Sequence, residues 1–201
     1  VGYGLSETAP AASIDPVDGK TFSDTIGLPL PSTEMSIQDD KGKILSAEKE
    51  GEICIRGPQV MRGYWNNEKD TKNVLTKDGW FKTGDIGKMR KDGYFQIVDR
   101  KKDMIIVSGF NVYPSDIEEV VMQHQKILEA GCIGVSGKNG QELVKLFVSV
   151  VDGENITKEE ILEHCKNNLT AYKVPKLLEI VDEIPKSNVG KILRRELREI
   201  K

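Results

Sequence analysis

The chain has 201 residues, 38% of them apolar and 30% charged, with a formal charge of −3. That length admits one large or two modest domains, and the balance is that of a globular protein able to bury a core. The small negative charge excludes a global attraction to nucleic acid or anionic membranes, so partners have to be sought in local sites.

In chain order, residues 1–98 are rich in Gly, Pro and short alternating segments, at 34–38, 51–56 and 93–98. Alternation of this kind predicts short antiparallel strands joined by tight turns. One helix is predicted over 67–75, where Asn66 or Asn67 can cap and Glu68 and Asp70 favour the first turn. Lys91-Asp92-Gly93 marks a hairpin turn between strands at 86–89 and 94–97.

From about residue 103 the pattern changes to mixed elements. A strand at 104–107 precedes a helix over 114–121, with Pro114 in its first turn and Ile117, Val120 and Val121 on one face. Strands follow at 130–135, 145–151 and 177–181. Helices are predicted at 157–166, capped by Thr157 and Glu160, and at 192–199. The second half is thus an α+β unit of about a hundred residues, a size that folds alone. The joint falls at the charged run Asp99 to Asp103, with no Pro/Ser-rich linker, and is read as a hinge.

Cys54, Cys132 and Cys165 form no C-x-x-C pair, and His124 and His164 are the only histidines. This predicts reduced thiols in a reducing, cytoplasmic compartment and no zinc site. No apolar run approaches the roughly 18 residues that span a bilayer, and none of these residues forms a signal-peptide h-region. The chain starts at Val1, inside what reads as a strand-to-loop motif, which predicts a C-terminal piece of a larger protein.

Several short strings carry possible chemistry. Tyr3-Gly4-Leu5-Ser6-Glu7-Thr8 combines a ring, a hydroxyl and a carboxylate, able to stack a base, bind a phosphate and hold Mg²⁺. A strand-end turn explains it equally well. Thr83-Gly84-Asp85 would put a carboxylate on a tight turn, able to accept hydrogen bonds from a vicinal diol such as ribose. The run Asp99-Arg100-Lys101-Lys102-Asp103 reads by itself as a solvated loop. Lys191 follows a glycine in a turn, but Pro185 and Ile192 stand where a phosphate-binding P-loop needs Gly and Ser or Thr. Lys91-Asp92-Gly93 is one residue short of the K-x-D-G of nucleotidyl-transferring ligases. The basic run Lys186, Lys191, Arg194, Arg195, Arg198 and Lys201 is interleaved with Leu193, Glu196, Leu197 and Glu199. That pattern favours a solvent-facing amphipathic helix over nucleic-acid binding.

Taken together and in order, G-Y-G-L-S-E-T, G-E-I-C-I-R-G-P-Q-V-M-R-G-Y, W-F-K-T-G-D, D-R-K-K-D-M-I-I-V-S-G-F-N-V-Y-P-S-D-I-E and P-K-S-N-V-G-K resemble the adenylate-forming superfamily. Its members include acyl-CoA synthetases, firefly luciferase and peptide-synthetase adenylation domains, and the wording is most like fatty-acid–CoA ligases. The resemblance implies a β-rich remnant of a large AMP-binding domain, a distorted antiparallel barrel, over 1–98. A hinge at 99–103 and a mobile α+β domain over 104–201 would follow.

It implies ATP/AMP, Mg²⁺ and coenzyme A as cofactors and co-substrates, with a carboxylic acid as substrate. By position, Tyr3 lies against adenine, Ser6 reaches the α-phosphate, Glu7 holds Mg²⁺ and Asp85 grips the ribose hydroxyls. Arg100 lies near ribose or phosphates, Lys102 is the hinge and Lys191 serves adenylation. Gly109 lines the pantetheine tunnel. The family's phosphate loop is absent from these residues, which implies a missing N-terminal domain as partner and a fragment inactive alone. Peripheral membrane attachment through that parent is compatible with this reading. An aryl-acid (4-coumarate-type) ligase, an adenylation module serving a carrier protein and a non-catalytic nucleotide-binding module stay open as alternatives.

Overall fold

A computed structural model describes residues 1–16, 24–137, 139–188 and 190–200. The chain divides into two units, Val1–Lys102 and Asp103–Lys201.

In the first unit, β1 (Gly2–Gly4), β2 (Ala11–Ile14) and β3 (Leu28–Pro29) form one antiparallel sheet. A second, the antiparallel meander of β4 (Glu34–Gln38), β5 (Glu50–Arg56), β6 (Phe81–Met89) and β7 (Phe95–Arg100), carries most of the unit. A bridge between Gly27 and Phe95 joins the two. Both remain open sheets among the described residues, where the sequence resemblance implied part of a barrel; four strands are too few to curl a sheet onto itself. Ile37, Ile53, Ile55 and Phe95 point inward with Tyr3, Ala12 and Ile26 to form the core. Helix α1 (Glu68–Val74) starts where expected, with Asn67 Oδ1 accepting from the Asp70 N–H at 3.1 Å. The turn after β6 is closed by Gly93 N–H donating to Arg90 O at 3.0 Å, so Lys91-Asp92-Gly93 is a hairpin turn.

The second unit opens with β8 (Ile105–Val107) and β9 (Phe110–Val112), paired with Val107 opposite Phe110. Ser108 and Gly109 form the two-residue turn between them, at φ 51° and 84°. Positive φ at both central positions is the type I′ requirement, and it matches the twist of the flanking strands. Helix α2 (Pro114–Met122) follows, then β10 (Ile127–Ser136) and β11 (Glu142–Val150), an antiparallel pair. Helix α3 (Lys158–Asn168) has the Thr157–Glu160 capping box, and β12 (Leu177–Ile180) lies parallel to β11.

The β10–β11–β12 sheet is covered on both faces. Cys132, Val144, Leu146 and Val148 meet Ile117, Val121, Ile161 and Cys165 on one side, while Ile133 and Phe147 meet Ile184 and Leu197 on the other. Near-continuous apolar runs in β10 and β11 are what two buried faces demand. The last helix, α4 (Arg194–Leu197), is shorter than the predicted 192–199 because Ile192 is taken into a bridge with Lys186. No helix among the described residues is long and apolar enough to cross a membrane.

Candidate nucleotide site

The site in the first unit is built around a bulge. Glu52 pairs with Ile86 and Cys54 with Lys82, so three residues of β6, Thr83, Gly84 and Asp85, stand opposite Ile53 alone. The ladder is broken there and side chains replace it. Thr83 Oγ1 donates to Ile53 O at 2.8 Å and accepts from the Asp85 N–H at 3.1 Å, while Glu52 Oε1 accepts from the Gly84 N–H at 3.1 Å. Gly84 sits at φ 74°, which a residue with a Cβ adopts only with strain. Thr83-Gly84-Asp85 is therefore not the tight turn expected from sequence but a bulge within a strand. A bulge achieves the same end, since it re-aims a side chain.

That side chain is Asp85, whose carboxylate is 6% exposed. Tyr3 Oη donates to its Oδ2 at 2.6 Å, and Arg100 Nε lies 3.0 Å from Oδ1. Each oxygen keeps a further lone pair for a hydroxyl donor. Burial, and then the bond to Asp85, push the Tyr3 hydroxyl far above its ordinary range, so it is a fixed donor at any physiological pH. The Tyr3 ring itself packs into the core with Ala12 and Phe95. The structure thus brings Tyr3, Asp85 and Arg100 together.

Ser6 and Glu7 follow β1 in a single 3₁₀ turn, Ser6–Thr8. Thr8, fully buried, fastens it: its Oγ1 accepts from the Leu5 N–H at 3.0 Å and donates to Pro10 O at 2.8 Å. Ser6 is left exposed, and Glu7 Oε1 accepts from Tyr64 Oη at 2.9 Å. Glu7 lines a cleft of about 260 Å³ with Glu52, Tyr64, Lys82, Thr83 and Lys101.

Glu52, Tyr64, Lys82 and Lys101 had no individual role in the sequence reading. Glu52 is buried, and its Oε2 lies 2.9 Å from Lys101 Nζ, which also reaches Asp40 Oδ1 at 2.7 Å. Burial works against the Lys101 ammonium, but the bonds to Asp40 and Glu52 outweigh it and raise its pKa, while Lys101 lowers that of Asp40. Tyr64 was legible only as part of the R-G-Y string. For Glu52 the available signal was a carboxylate directly before the apolar run Ile53-Cys54-Ile55.

The remaining predicted residues lie elsewhere. Lys102, exposed, ends the first unit, in the 3₁₀ turn Lys101–Asp103. In the second unit, Gly109 is in the β8–β9 turn, and Lys191 is exposed in the loop between Ile184 and α4. Much of the basic run is neutralised rather than displayed on a solvated helix face. Lys186 pairs with Glu129, Arg194 with Glu118 and Arg198 with Asp103, and Arg194 is only 16% exposed because two carboxylate oxygens draw it inward. Lys201, and Val189 of the P-K-S-N-V-G-K string, lie outside the described residues.

A buried carboxylate on a bulge, fixed by a tyrosine and an arginine beside a half-buried glutamate, can accept from paired hydroxyl donors. Residues 1–65 match the model for AMP-binding enzymes and residues 116–191 match the AMP-binding enzyme C-terminal domain, and the chain belongs to this adenylate-forming family. Among individual relatives, it is 56% identical over 198 residues to the long-chain-fatty-acid–CoA ligase of Yersinia pestis, covering 98% of this chain and 35% of that protein. ATP-bound MatB from Rhodopseudomonas palustris matches with a TM-score of 0.92 at 34% identity, over 98% of this chain and 39% of that one. The o-succinylbenzoate CoA synthetase MenE of Bacillus subtilis, in complex with its acyl-adenylate, matches at 0.84 and 30% identity, over 100% of this chain and 41% of that one. The chain thus spans about a third of the length of the curated relative.

Proposed function

We propose that this chain is the C-terminal part of an ATP-dependent, AMP-forming acid–CoA ligase of the cytoplasm, with a fatty acid as its acyl substrate. The observation that carries the reading is Asp85, a 6%-exposed carboxylate whose two oxygens are each held by one donor and keep lone pairs for a vicinal diol. Relatives of matching wording act on long-chain fatty acids, which favours an alkyl over an aryl acid.

In the first step an oxygen of the acid attacks the α-phosphorus of ATP, the bond to the β-phosphate oxygen breaks, and pyrophosphate leaves with the electron pair. Two anions must meet, and the Lys191 ammonium offsets their repulsion, most effectively where water is excluded. Asp85 holds the ribose hydroxyls, Arg100 lies near ribose or phosphates, the exposed Ser6 hydroxyl reaches the α-phosphate, and Tyr3 lies against the adenine.

Glu7 fits a Mg²⁺ ligand. Tyr64 occupies one of its oxygens and the residue lines the cleft, which suits an ion held by one or two carboxylates plus phosphate and water. No group of three or more potential ligands among the described residues offers a dedicated cage. Bound there, such an ion would neutralise phosphate charge.

In the second step the CoA thiol gives up its proton, sulfur bonds to the acyl carbon, and AMP leaves. The pantetheine arm passes Gly109, where the absence of a side chain keeps the path open. Rotation about Lys102 lets the second unit serve each step in turn. The 201 residues alone do not complete adenylation.

The test is acid-dependent ATP–pyrophosphate exchange by the full-length protein, with fatty acids and coumarate compared as acids and free CoA and carrier-bound pantetheine as acceptors. Fatty-acid-dependent exchange, lost by about 10²-fold or more in Lys191→Ala and weakened in nucleotide affinity by Asp85→Ala, is the expected result. Full exchange by Lys191→Ala, or turnover by residues 1–201 alone, would overturn it.

A further inference from the structure

Lys191 projects from a loop whose backbone is closed on itself. Ser187 N–H donates to Lys191 O at 2.8 Å, the Lys191 N–H donates to Ser187 Oγ at 3.2 Å, and Gly190 N–H donates to Ser187 O at 2.8 Å. Below the loop, Lys186 bridges Ile192 and the Leu193 N–H donates to Pro185 O at 2.8 Å. These bonds tie Ser187 to both Gly190 and Lys191. The direction of the loop's lysine is then set by whatever fixes the two legs of the stem.

Both legs end in ion pairs. On the leading leg, Lys186 Nζ binds Glu129 Oε1 of β10. On the trailing leg, Arg194 Nη2 lies 2.9 and 2.8 Å from the two oxygens of Glu118 in α2, and its Nε donates to Cys132 O at 3.3 Å. Glu118 Oε1 also accepts from the Cys132 N–H at 2.8 Å, so the trailing pair is tied to β10 as well. Exposures differ: 35% and 27% for Lys186 and Glu129, but 16% and 13% for Arg194 and Glu118. Just outside the legs in sequence, Ile184 and Leu197 are fully buried with Ile133 and Phe147 and supply the adhesion.

An ion pair as exposed as Lys186–Glu129 contributes little to stability. Orientation is another matter, because a displacement of roughly 1 Å in a catalytic group can cost about a hundredfold in rate. We infer that Glu129, through Lys186, and Glu118, through Arg194, are positioning residues that set the direction of the Lys191 side chain. This rests on the reading of Lys191 as the adenylation lysine. The two carboxylates act through Lys186 and Arg194, and in this inference they serve the first step alone.

The experiment uses the full-length ligase with Glu129→Ala, Lys186→Ala, the charge-swapped pair Glu129→Lys with Lys186→Glu, and Glu118→Gln. Three quantities are read: the maximal rate and nucleotide KM of acid-dependent ATP–pyrophosphate exchange, the rate of acyl-CoA formation from presynthesised acyl-AMP, and Tm. The expected result is an exchange rate down by about tenfold or more, with KM, Tm and thiolysis little changed, and substantial recovery in the charge-swapped protein. Unchanged exchange in both single alanine variants would overturn the inference, as would exchange and thiolysis falling together with Tm. The Glu129 variants decide the matter even if Glu118→Gln does not fold. Lys191→Ala is the control: full exchange there would show that the reading beneath the inference has failed, whereas its loss beside unaffected Glu129 and Lys186 variants would sink the positioning role alone.

Discussion

Tyr3 and Asp85, 82 residues apart in the chain, are joined by a buried 2.6 Å hydrogen bond from phenol to carboxylate. The bond ties β1 to the bulge of β6, so the strand that leads into Ser6 and Glu7 and the Asp85 carboxylate are fixed to each other. Arg100, on β7, balances the same carboxylate from the other oxygen. Three strands thereby agree on the position of one functional group.

The Tyr3 bond makes alkaline stability informative. Below its ordinary pKa of 10.0 the phenol is neutral in folded and unfolded chains, and its contribution is fully present. Above that pH the unfolded chain releases a proton that the folded chain retains, so stability falls as pH rises. Cys54, pushed up from 9.0 to about 12 chiefly by burial, acts in the same direction between those values. Tyr3→Phe should cost about 1 kcal/mol near neutral pH, from the lost bond, and should show a shallower decline above pH 10. Urea denaturation of both proteins across that range checks it; parallel declines would contradict the assignment.

Thiol chemistry follows from burial. Cys54, Cys132 and Cys165 are all free and buried, and burial lifts Cys165 to about 11. At pH 8 the native protein should therefore react with an aromatic disulfide reagent far more slowly than a model thiol, and all three should react once guanidinium is added. A rapidly reacting thiol in the native protein would refute this.

What could be read from sequence divides by the range of the interaction. Asn67 as a helix cap, the Thr157–Glu160 capping box, Pro114 at the start of α2 and the Gly93 turn are all decided within a few residues, and each stands where expected. The strand at 104–107 was read from sequence, but its hairpin partner β9 was missed although Ser108-Gly109 is a two-residue turn, because β9 is only three residues long. The bulge at Gly84 and the inward pull on Arg194 depend on Glu52 and Glu118, partners 32 and 76 residues away. No local pattern announces a partner at that distance. The motif strings located the candidate site residues without revealing that Glu52 and Lys101 share its cleft.

Glu52 offers a direct test of the bulge. Its two oxygens satisfy the Gly84 N–H and the Lys101 ammonium, and the residue is 8% exposed. Glu52→Ala leaves a backbone donor and a partly buried cation without that partner and should cost about 1–3 kcal/mol. Glu52→Gln keeps an acceptor for Gly84 and should cost less. Equal losses in the two variants, measured by chemical denaturation, would show that the Gly84 bond does not matter.

Gly109 separates backbone strain from steric blockage. A Cβ there meets nothing within 4 Å, yet the residue sits at φ 84°. Strain of this kind costs an L-residue about 1–2 kcal/mol, so Gly109→Ala should lower stability by that much and no more. Gly131 is the contrast: a Cβ there would lie 2.7 Å from Cδ1 of the fully buried Leu197, so Gly131→Ala should destabilise by overpacking, about 1–3 kcal/mol, without positive-φ strain. If Gly109 lines the path of the pantetheine arm, its alanine variant should also slow acyl transfer from presynthesised acyl-AMP to CoA, an effect Gly131→Ala should not share beyond its loss of folded protein. Thiolysis rates corrected for folded fraction distinguish the two, and an undiminished rate in Gly109→Ala would remove Gly109 from the second half-reaction.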